Sequence, residues 1–335
     1  MPGPRKRMTI AELARLAGVS NTTASFVLNG RADEYRIAEE TRRKVLDTAE
    51  KYSFKPSQLA RALRSNRSHS LGLIIPDPTN YGFAAIARVL EPLCRDAGYQ
   101  LLIASSDDNP EKEQTVVRSL LDRQIDGLIT ASALTDDTFY QQIVRQCPVV
   151  QLDRHIAGSR IPSVITDARK ATADLVKKMA QDCDELAYIG GLLELSPSRH
   201  RLQGYRDGLT RAGLPVQELL ICHWDFQPDS GYTLMKQLCD QLGRLPKGLF
   251  CASFSLLQGV LRYLKEHSAM DSGMRLGSFD DHELLDYIPV AVDSISQDCE
   301  SLAAHSFQMI RTLLDGQSLD APELALPARV HWRSP

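Results

Sequence analysis

Short apolar runs alternate with amphipathic segments from about residue 70 onward, and this alternation restricts the fold more than any other feature. Apolar strands separated by helices are typical of parallel sheets that helices cover on both faces. Roughly 260 residues of this pattern are many for one core, so we predict an α/β body in two lobes, each a doubly wound parallel sheet. The predicted strands are 70–76, 100–104, 127–131, 149–153, 163–166, 186–190, 219–223, 248–252, 276–279, 293–296 and 328–333.

The first 67 residues differ from the rest of the chain in charge. They contain 14 Lys and Arg against 7 Asp and Glu, whereas the whole chain carries a net charge of −3. A basic head on an acidic body predicts that only the head contacts a polyanion such as nucleic acid. Charge alone leaves open the alternative of a solvated basic tail.

An all-α helix-turn-helix arrangement is predicted within this basic segment. Thr9 and Glu12 have the spacing of a capping box, and Gly18 ends the helix that follows. Ser20 caps a second helix, which reaches about residue 29. Such a pair of helices places the second one in the DNA major groove. A third helix is predicted over 39–52, with an apolar side formed by Val45, Leu46 and Ala49.

The head as a whole resembles the LacI/GalR family of transcriptional repressors, through TIAELARLAGVSNTTASFVLNG and then KPSQLARALRSNRSHSLGLIIPD. This resemblance implies a DNA-binding domain at 1–55, a hinge helix with its linker at 56–68, and an effector-binding and dimerisation domain at 69–335. Lobe 1 of that domain is expected at about 69–166 and 297–324, and lobe 2 at about 167–296 and 325–335. It also implies that the hinge inserts a leucine into the minor groove, here Leu63.

The resemblance assigns base reading to Asn21 and Thr22 at the start of the second helix. Phe26 stands where some relatives carry a polar base contact, so it is expected either to join the core or to touch a thymine methyl group. The full set of predicted DNA-contacting residues is Thr9, Ser20, Asn21, Thr22, Thr23, Ser25, Phe26, Asn29, Arg36, Ser57, Ala60, Arg61 and Leu63.

Polar side chains follow several predicted strands of the body, at the strand ends where α/β sheets bind ligands. Loops are polar in any protein, which is the alternative explanation. The motif Arg201-Leu202-Gln203-Gly204-Tyr205 is a family signature, and the resemblance implies a body similar to periplasmic sugar-binding proteins. Ser253 departs from several relatives, which carry Asn there. The predicted effector-binding residues are Asp77, Ser106, Asp153, Arg154, Arg199, Arg201, Ser253 and Asp280, with Arg154 and Arg199 as candidates for a phosphate group.

Four segments further resemble the branch of the family that regulates sucrose and fructose genes: LLIASSDDNPEKE, LSPSRHRLQGY, SFSLLQGVLRY and SFDDHELLDY. The implied function is repression at a palindromic operator, with release by a small sugar or sugar phosphate such as fructose or fructose 1-phosphate. A corepressor-type or dual regulator that responds to another small metabolite is the alternative. A homodimer is expected because one head reads a half-site, and a tetramer remains open.

Other functional classes lack their sequence patterns. The chain has no HExxH, GxSxG or P-loop motif, so no enzyme activity, catalytic residue, cofactor or metal is predicted. No apolar run approaches the roughly 18 residues of a membrane span, so no membrane partner is expected. A transport-linked sugar-binding protein would fit the body alone, but the basic head and the start of the chain favour a cytoplasmic protein, associated with the nucleoid when bound to DNA. Its seven cysteines are then free thiols.

Overall fold

The computed structural model describes residues 8–52, 54 and 67–334, which fall into two compact units. The head forms the first unit, and the second begins at His69. Three helices make up the described part of the head: α1 (Ile10–Ala17), α2 (Asn21–Leu28) and α3 (Glu39–Lys51). They pack around a small apolar core.

The predicted caps define where the head helices begin and end. At α1, the Glu12 amide donates to Thr9 Oγ1 at 3.2 Å, and the Thr9 amide donates back to the Glu12 carboxylate at 2.8 Å. Gly18 ends the helix with a φ of +66°, and Ser20 Oγ accepts from the Thr23 amide at 3.0 Å. These local bonds set the angle between α1 and α2, and therefore the face that α2 presents.

One residue of the predicted apolar side of α3 lies elsewhere. Val45 and Ala49 are buried, whereas Leu46 is 44% exposed. Positions four apart share a helix face, while the next residue along is turned away by about 100°. The prediction for Leu46 is therefore wrong, and the apolar stripe of α3 is narrower than expected.

The second unit contains two six-stranded sheets, as the alternating pattern predicts. The first sheet has the order β11-β5-β4-β3-β1-β2, and all its pairs are parallel. Its strands are β1 (Ser70–Ile75), β2 (Gln100–Ser105), β3 (Gly127–Thr130), β4 (Val149–Leu152), β5 (Ser163–Thr166) and β11 (Glu323–Leu326).

The second sheet has the order β12-β10-β9-β8-β6-β7. Its pairs are parallel except at one edge, where β12 runs antiparallel to β10 and Ile295 lies opposite Val330. The second sheet is therefore the predicted doubly wound parallel sheet with one antiparallel strand at its edge. The strands are β6 (Leu186–Gly190), β7 (Ile221–His223), β8 (Gly248–Cys251), β9 (Arg275–Phe279), β10 (Val292–Ser296) and β12 (Arg329–His331).

Helices connect the strands and bury the two sheets in separate cores. They are α4 (Tyr81–Asp96), α5 (Pro110–Asp122), α6 (Thr138–Ile143), α7 (Ala168–Asp182), α8 (Ser196–Arg211), α9 (Pro228–Leu242), α10 (Phe254–Glu266) and α11 (Cys299–Leu314). None of the helices within the described residues is long and apolar enough to cross a membrane.

The chain passes between the two sheets three times. It crosses after β5, after β10 and again between β11 and β12. The first two crossings follow Thr166 and Ser296. The third lies between Leu326 and Arg329 rather than at residue 324, because Glu323–Leu326 pairs with β5 in the first sheet. Three connections give two lobes that share a cleft.

Candidate DNA-binding head and effector cleft

The start of α2 presents a polar surface. Asn21 and Thr22 are exposed there. Thr23 is engaged within the head, because its hydroxyl lies 2.8 Å from that of Ser20. Asn29 likewise turns back, and its Nδ2 donates to the Ser25 carbonyl oxygen at 2.5 Å. Asn21 and Thr22 are therefore available to a partner, whereas Ser20, Thr23 and Asn29 also shape the ends of the helix.

Phe26 forms an aromatic pair on the head and does not join its core. Its ring lies 3.6 Å from that of Tyr35, with only 7° between the ring planes. The Arg31 guanidinium lies over both rings and donates to the Glu34 carboxylate at 2.5 and 2.6 Å. Of the two expectations for Phe26, the packed-core alternative is excluded.

Arg36 is exposed and has a φ of +49°, an uncommon conformation for a residue other than glycine. Four further predicted DNA contacts, Ser57, Ala60, Arg61 and Leu63, lie outside the described residues.

A cavity of about 290 Å³ lies in the second unit, beyond the carboxyl ends of strands from both sheets. That volume is near the lower end of the range for small-molecule sites, which suits a small ligand. The cavity lining combines side chains from both lobes: Pro76, Asp77, Thr79, Asn80, Gly82, Phe83, Ile86, Asp108, Asp153, Arg154, Pro197, Arg201, Phe226, Gln227, Pro228, Ser253, Ser255, Gln258, Asp280 and Gln297.

Arg201 projects from α8 into this cavity and is only 5% exposed. Its Nη1 donates to the Ala252 carbonyl oxygen at 2.6 Å, and its guanidinium lies 3.8 Å from the centre of the Phe279 ring. Its Nε has no hydrogen-bond partner among the described residues, and no described carboxylate lies within ion-pair distance. A buried guanidinium with unused donors is arranged to bind a ligand oxygen.

The residues of the Arg201–Tyr205 signature lie on different faces of α8 and have different roles. Gly204 lies against α7, where an added Cβ would stand 2.5 Å from the Arg169 carbonyl oxygen. Tyr205 is fully buried and donates to the Leu186 carbonyl oxygen at 2.6 Å. Gly204 and Tyr205 therefore fix α8 against its lobe, and this fixes Arg201 in the cleft.

Two aspartates from different lobes face the cavity. Asp153 follows β4 and Asp280 follows β9, with φ angles of +62° and +66°. Aspartate tolerates this left-handed backbone conformation, and residues that adopt it occur often at functional sites. Burial raises the pKa of the Asp153 carboxyl, an effect that the Arg201 and Arg154 charges oppose. The two carboxylates provide acceptors for ligand hydroxyl groups from both sides.

Gln297 joins the two lobes at the cleft. The Thr166 hydroxyl donates to Gln297 Oε1 at 2.8 Å, and Gln297 Nε2 donates to Asp280 Oδ1 at 3.0 Å. Thr166 ends β5 in the first lobe, and Asp280 belongs to the second. A ligand that displaces the Gln297 amide from Asp280 therefore changes a contact between lobes.

Arg154 is also buried at the cavity, but it already has a partner. Its Nη1 lies 2.5 Å from Asp108 Oδ1, and the two side chains are 6% and 18% exposed. Asp108 follows β2, and Arg154 follows β4. The guanidinium also lies 5.7 Å from the Phe83 ring centre.

The structure brings together six of the eight predicted effector residues and excludes two from the cavity lining. Ser106 is fully buried, and its hydroxyl has no partner among the described residues. Arg199 is exposed and donates to the carbonyl oxygens of Leu193 and Glu194. Positions two apart on a helix point to different faces, which explains why Arg199 turns away when Arg201 points inward.

Ser253 lines the cavity, and its hydroxyl also caps α10 by accepting from the Leu256 amide at 3.2 Å. Sequence reasoning did not single out Asn80, Phe226, Gln258 or Gln297, all of which line the same cavity. Each is an isolated polar or aromatic residue in a loop or in the first turns of a helix, and only the three-dimensional fold brings them together.

Comparison with known proteins agrees with both units. "Bacterial regulatory proteins, lacI family" matches residues 9–57, and "Periplasmic binding proteins and sugar binding domain of LacI family" matches residues 68–266. The chain is 46% identical over 331 residues to the sucrose operon repressor of Klebsiella pneumoniae, covering 98% of this chain and 99% of that one. It is 38% identical over 299 residues to the fructose operon regulatory protein of Vibrio cholerae, covering 88% and 91%.

Among solved structures, the Cra transcriptional dual regulator from Pseudomonas putida in complex with fructose 1-phosphate has a TM-score of 0.74 and 33% identity, covering 80% of this chain and 99% of that one. The family resemblance inferred from the head and from the Arg201–Tyr205 signature is therefore confirmed. The protein belongs to the lacI family of bacterial regulatory proteins, as a DNA-binding transcription regulator whose body is the sugar-binding domain of that family.

Proposed function

We propose that this protein represses sugar-utilisation genes by binding a palindromic operator as a dimer, and that fructose or fructose 1-phosphate releases it. The observation that carries this proposal is Arg201, buried at a cavity of about 290 Å³ with donors unused and with carboxylates from both lobes opposite. Carboxylates accept from vicinal hydroxyl groups while a guanidinium donates to ring and hydroxyl oxygens, which suits a monosaccharide.

The relatives support this effector class. One regulates a sucrose operon, one regulates a fructose operon, and a related structure holds fructose 1-phosphate. Such regulators act by binding in the cytoplasm without catalysis, which we propose for this chain as well. Dimerisation follows from the size of the head, since one head of this fold reads only a half-site.

The proposed mechanism is thermodynamic linkage between the two sites. Ligand between Arg201, Asp153 and Asp280 favours one arrangement of the lobes, and operator binding favours another. Each ligand then weakens the other by the same factor, for which about 5- to 150-fold is usual in allosteric proteins. The Gln297 bridge between Thr166 and Asp280 gives the ligand a direct route to the lobe interface.

The test uses the full-length protein and an operator selected from random-sequence DNA. Calorimetry measures binding of fructose and fructose 1-phosphate, with glucose and guanine as controls. Fluorescence anisotropy then measures operator affinity with and without the bound sugar. We expect one of the two ketohexose ligands to bind and to weaken operator binding at least fivefold. A sugar that strengthens operator binding would favour the corepressor mechanism. If neither sugar binds, the proposed effector is wrong.

A further inference from the structure

Two neighbouring aspartates in the turn after β2 have opposite orientations. Asp107 and Asp108 both have positive φ angles, of +53° and +54°. Asp107 stays outside, where Lys112 Nζ binds its carboxylate at 2.5 Å. Asp108 turns inward, lines the cavity and binds Arg154. The turn therefore delivers one carboxylate to solvent and the other to the ligand site.

Asp108 changes the charge that a ligand meets. The ionisable side chains lining the cavity, among the described residues, are the carboxylates of Asp77, Asp108, Asp153 and Asp280 and the guanidiniums of Arg154 and Arg201. Carboxylates outnumber guanidiniums, and one guanidinium is already neutralised by Asp108 at 2.5 Å. An approaching phosphate thus meets a site of net negative charge.

We propose that Asp108 determines the preference of this cleft between an unphosphorylated ketohexose and its phosphate. Its carboxylate occupies the Arg154 guanidinium as an internal anion, and a ligand phosphate must compete with it for the same donors. The inference rests on the proposed function, because it assigns a role within the sugar cleft.

The burial of the pair makes this competition strong. Water screens charges poorly at a site where the two side chains are 6% and 18% exposed, so the carboxylate and a phosphate cannot both share Arg154 without large repulsion. A neutral sugar makes no such demand and leaves the pair intact. Replacing Asp108 with the uncharged and equally sized Asn frees Arg154 for a phosphate while keeping the shape of the turn.

The experiment measures the dissociation constants of fructose and fructose 1-phosphate by calorimetry on full-length wild type and Asp108→Asn. We expect Asp108→Asn to tighten fructose 1-phosphate binding about tenfold or more relative to fructose, because a charge-assisted bond replaces an internal competitor. Asp107→Asn is the matched control, since it removes the same charge from the neighbouring residue, whose carboxylate lies outside the cavity. It should leave the ratio of the two constants within about threefold of wild type.

A double variant covers the case in which Asp108→Asn alone does not fold. Asp108→Asn with Arg154→Gln removes both charges together and leaves no unpaired buried ion. We expect its preference for fructose 1-phosphate over fructose, the ratio of the two dissociation constants, to be lower than that of wild type, since no Arg154 guanidinium remains to bind the phosphate. Equal effects on both ligands, or an unchanged ratio in Asp108→Asn, would overturn the inference.

These outcomes separate the inference from the proposed function. If wild type binds fructose but the Asp108 variants keep the wild-type ratio, the role of Asp108 is wrong and the sugar cleft stands. If no form of the protein binds either sugar, both the proposed effector and the role of Asp108 are wrong.

Discussion

At the scale of single residues, Arg201 and Arg199 show how two neighbouring cations on one helix take separate roles. Arg201→Lys keeps the positive charge and a donor for the Ala252 carbonyl oxygen but loses the planar guanidinium over Phe279. We expect sugar affinity to fall roughly tenfold to a hundredfold, because a charged hydrogen bond is worth about 1.5–3 kcal/mol. Calorimetry measures this loss, and operator affinity without sugar should stay unchanged.

Arg199→Ala is the control for Arg201→Lys. Arg199 lies on the same helix turn, but it is exposed and binds only loop carbonyl oxygens. We expect its sugar affinity to match wild type. If Arg201→Lys instead lowers the melting temperature and leaves sugar affinity intact, Arg201 holds the lobe together and does not bind the ligand.

The buried carboxyl group of Glu113 is expected to make the free energy of unfolding depend on pH. Its fully buried carboxylate accepts from the Ser132 hydroxyl, the Ala133 amide and the Tyr140 hydroxyl, and burial nevertheless raises its pKa above the usual 4.5. A raised carboxyl pKa contributes stability that is present below pH 4.5 and lost as the pH rises through the folded-state pKa. Glu113→Gln removes this loss.

We therefore expect the free energy of unfolding of Glu113→Gln to improve relative to wild type as the pH rises from 4 to 7. The gain is about 1.4 kcal/mol for each unit of pKa elevation. Urea denaturation across that range measures it, with Glu111→Gln on the exposed side of the same helix as control. A difference between Glu113→Gln and wild type that is constant with pH would show that Glu113 is ionised without cost.

The sequence predicted the residues of the cleft that follow strands more reliably than those that do not. Asp153 and Asp280 could be assigned because strand ends are visible in the apolar pattern, and the carboxyl ends of parallel strands share one edge. Asp108 lay within a recognised polar run, but nothing in the sequence distinguished its inward turn from the outward turn of Asp107. Gln297 belongs to no sequence motif, because its role depends on Thr166, a partner more than a hundred residues away along the chain.

At the scale of helices and strands, the contact between α7 and α8 depends on the absence of a side chain. A Cβ at Gly204 would stand 2.5 Å from the Arg169 carbonyl oxygen, so Gly204→Ala must push α8 away from α7. We expect a loss of about 1–3 kcal/mol in the free energy of unfolding, the usual cost of overpacking. Gly82→Ala is the control, because its Cβ would meet its nearest neighbour at an ordinary 3.4 Å. Equal stability of the two variants in urea would contradict this close packing.

The apolar content and the length of each strand explain whether the sequence could predict it. Interior strands such as Ser70–Ile75 and Leu186–Gly190 are nearly continuous apolar runs, and the interior strands of both sheets lie within a residue or two of their predicted bounds. The edge strand Glu323–Leu326 was not predicted, since it is short and half-exposed and follows a proline. The antiparallel direction of Arg329–His331 could not be predicted either. Direction depends on the path of the preceding connection, and here the chain crosses from one lobe to the other within a few residues.

At the scale of the whole molecule, the separation of charge between head and body predicts the salt dependence of operator binding. The first 67 residues carry 14 basic and 7 acidic side chains, within a chain whose net charge is −3. Each phosphate that the head neutralises contributes about −0.9 to the slope of log affinity against log salt concentration. We expect a steep loss of operator affinity between about 50 and 200 mM salt, measured by fluorescence anisotropy with the full-length protein.

Substitutions at two arginines test whether the charges of the head produce this salt dependence. Arg36 is exposed on the head, and Arg145 is exposed on the acidic body. Arg36→Gln should reduce the slope by roughly one and weaken binding to all DNA sequences alike, because a phosphate contact carries no base information. Arg145→Gln removes the same charge from the acidic body, for which no DNA contact is predicted, and should leave the slope unchanged. A slope that responds equally to both substitutions would mean that net charge acts at long range. In that case the predicted contact of Arg36 with the DNA backbone would be wrong.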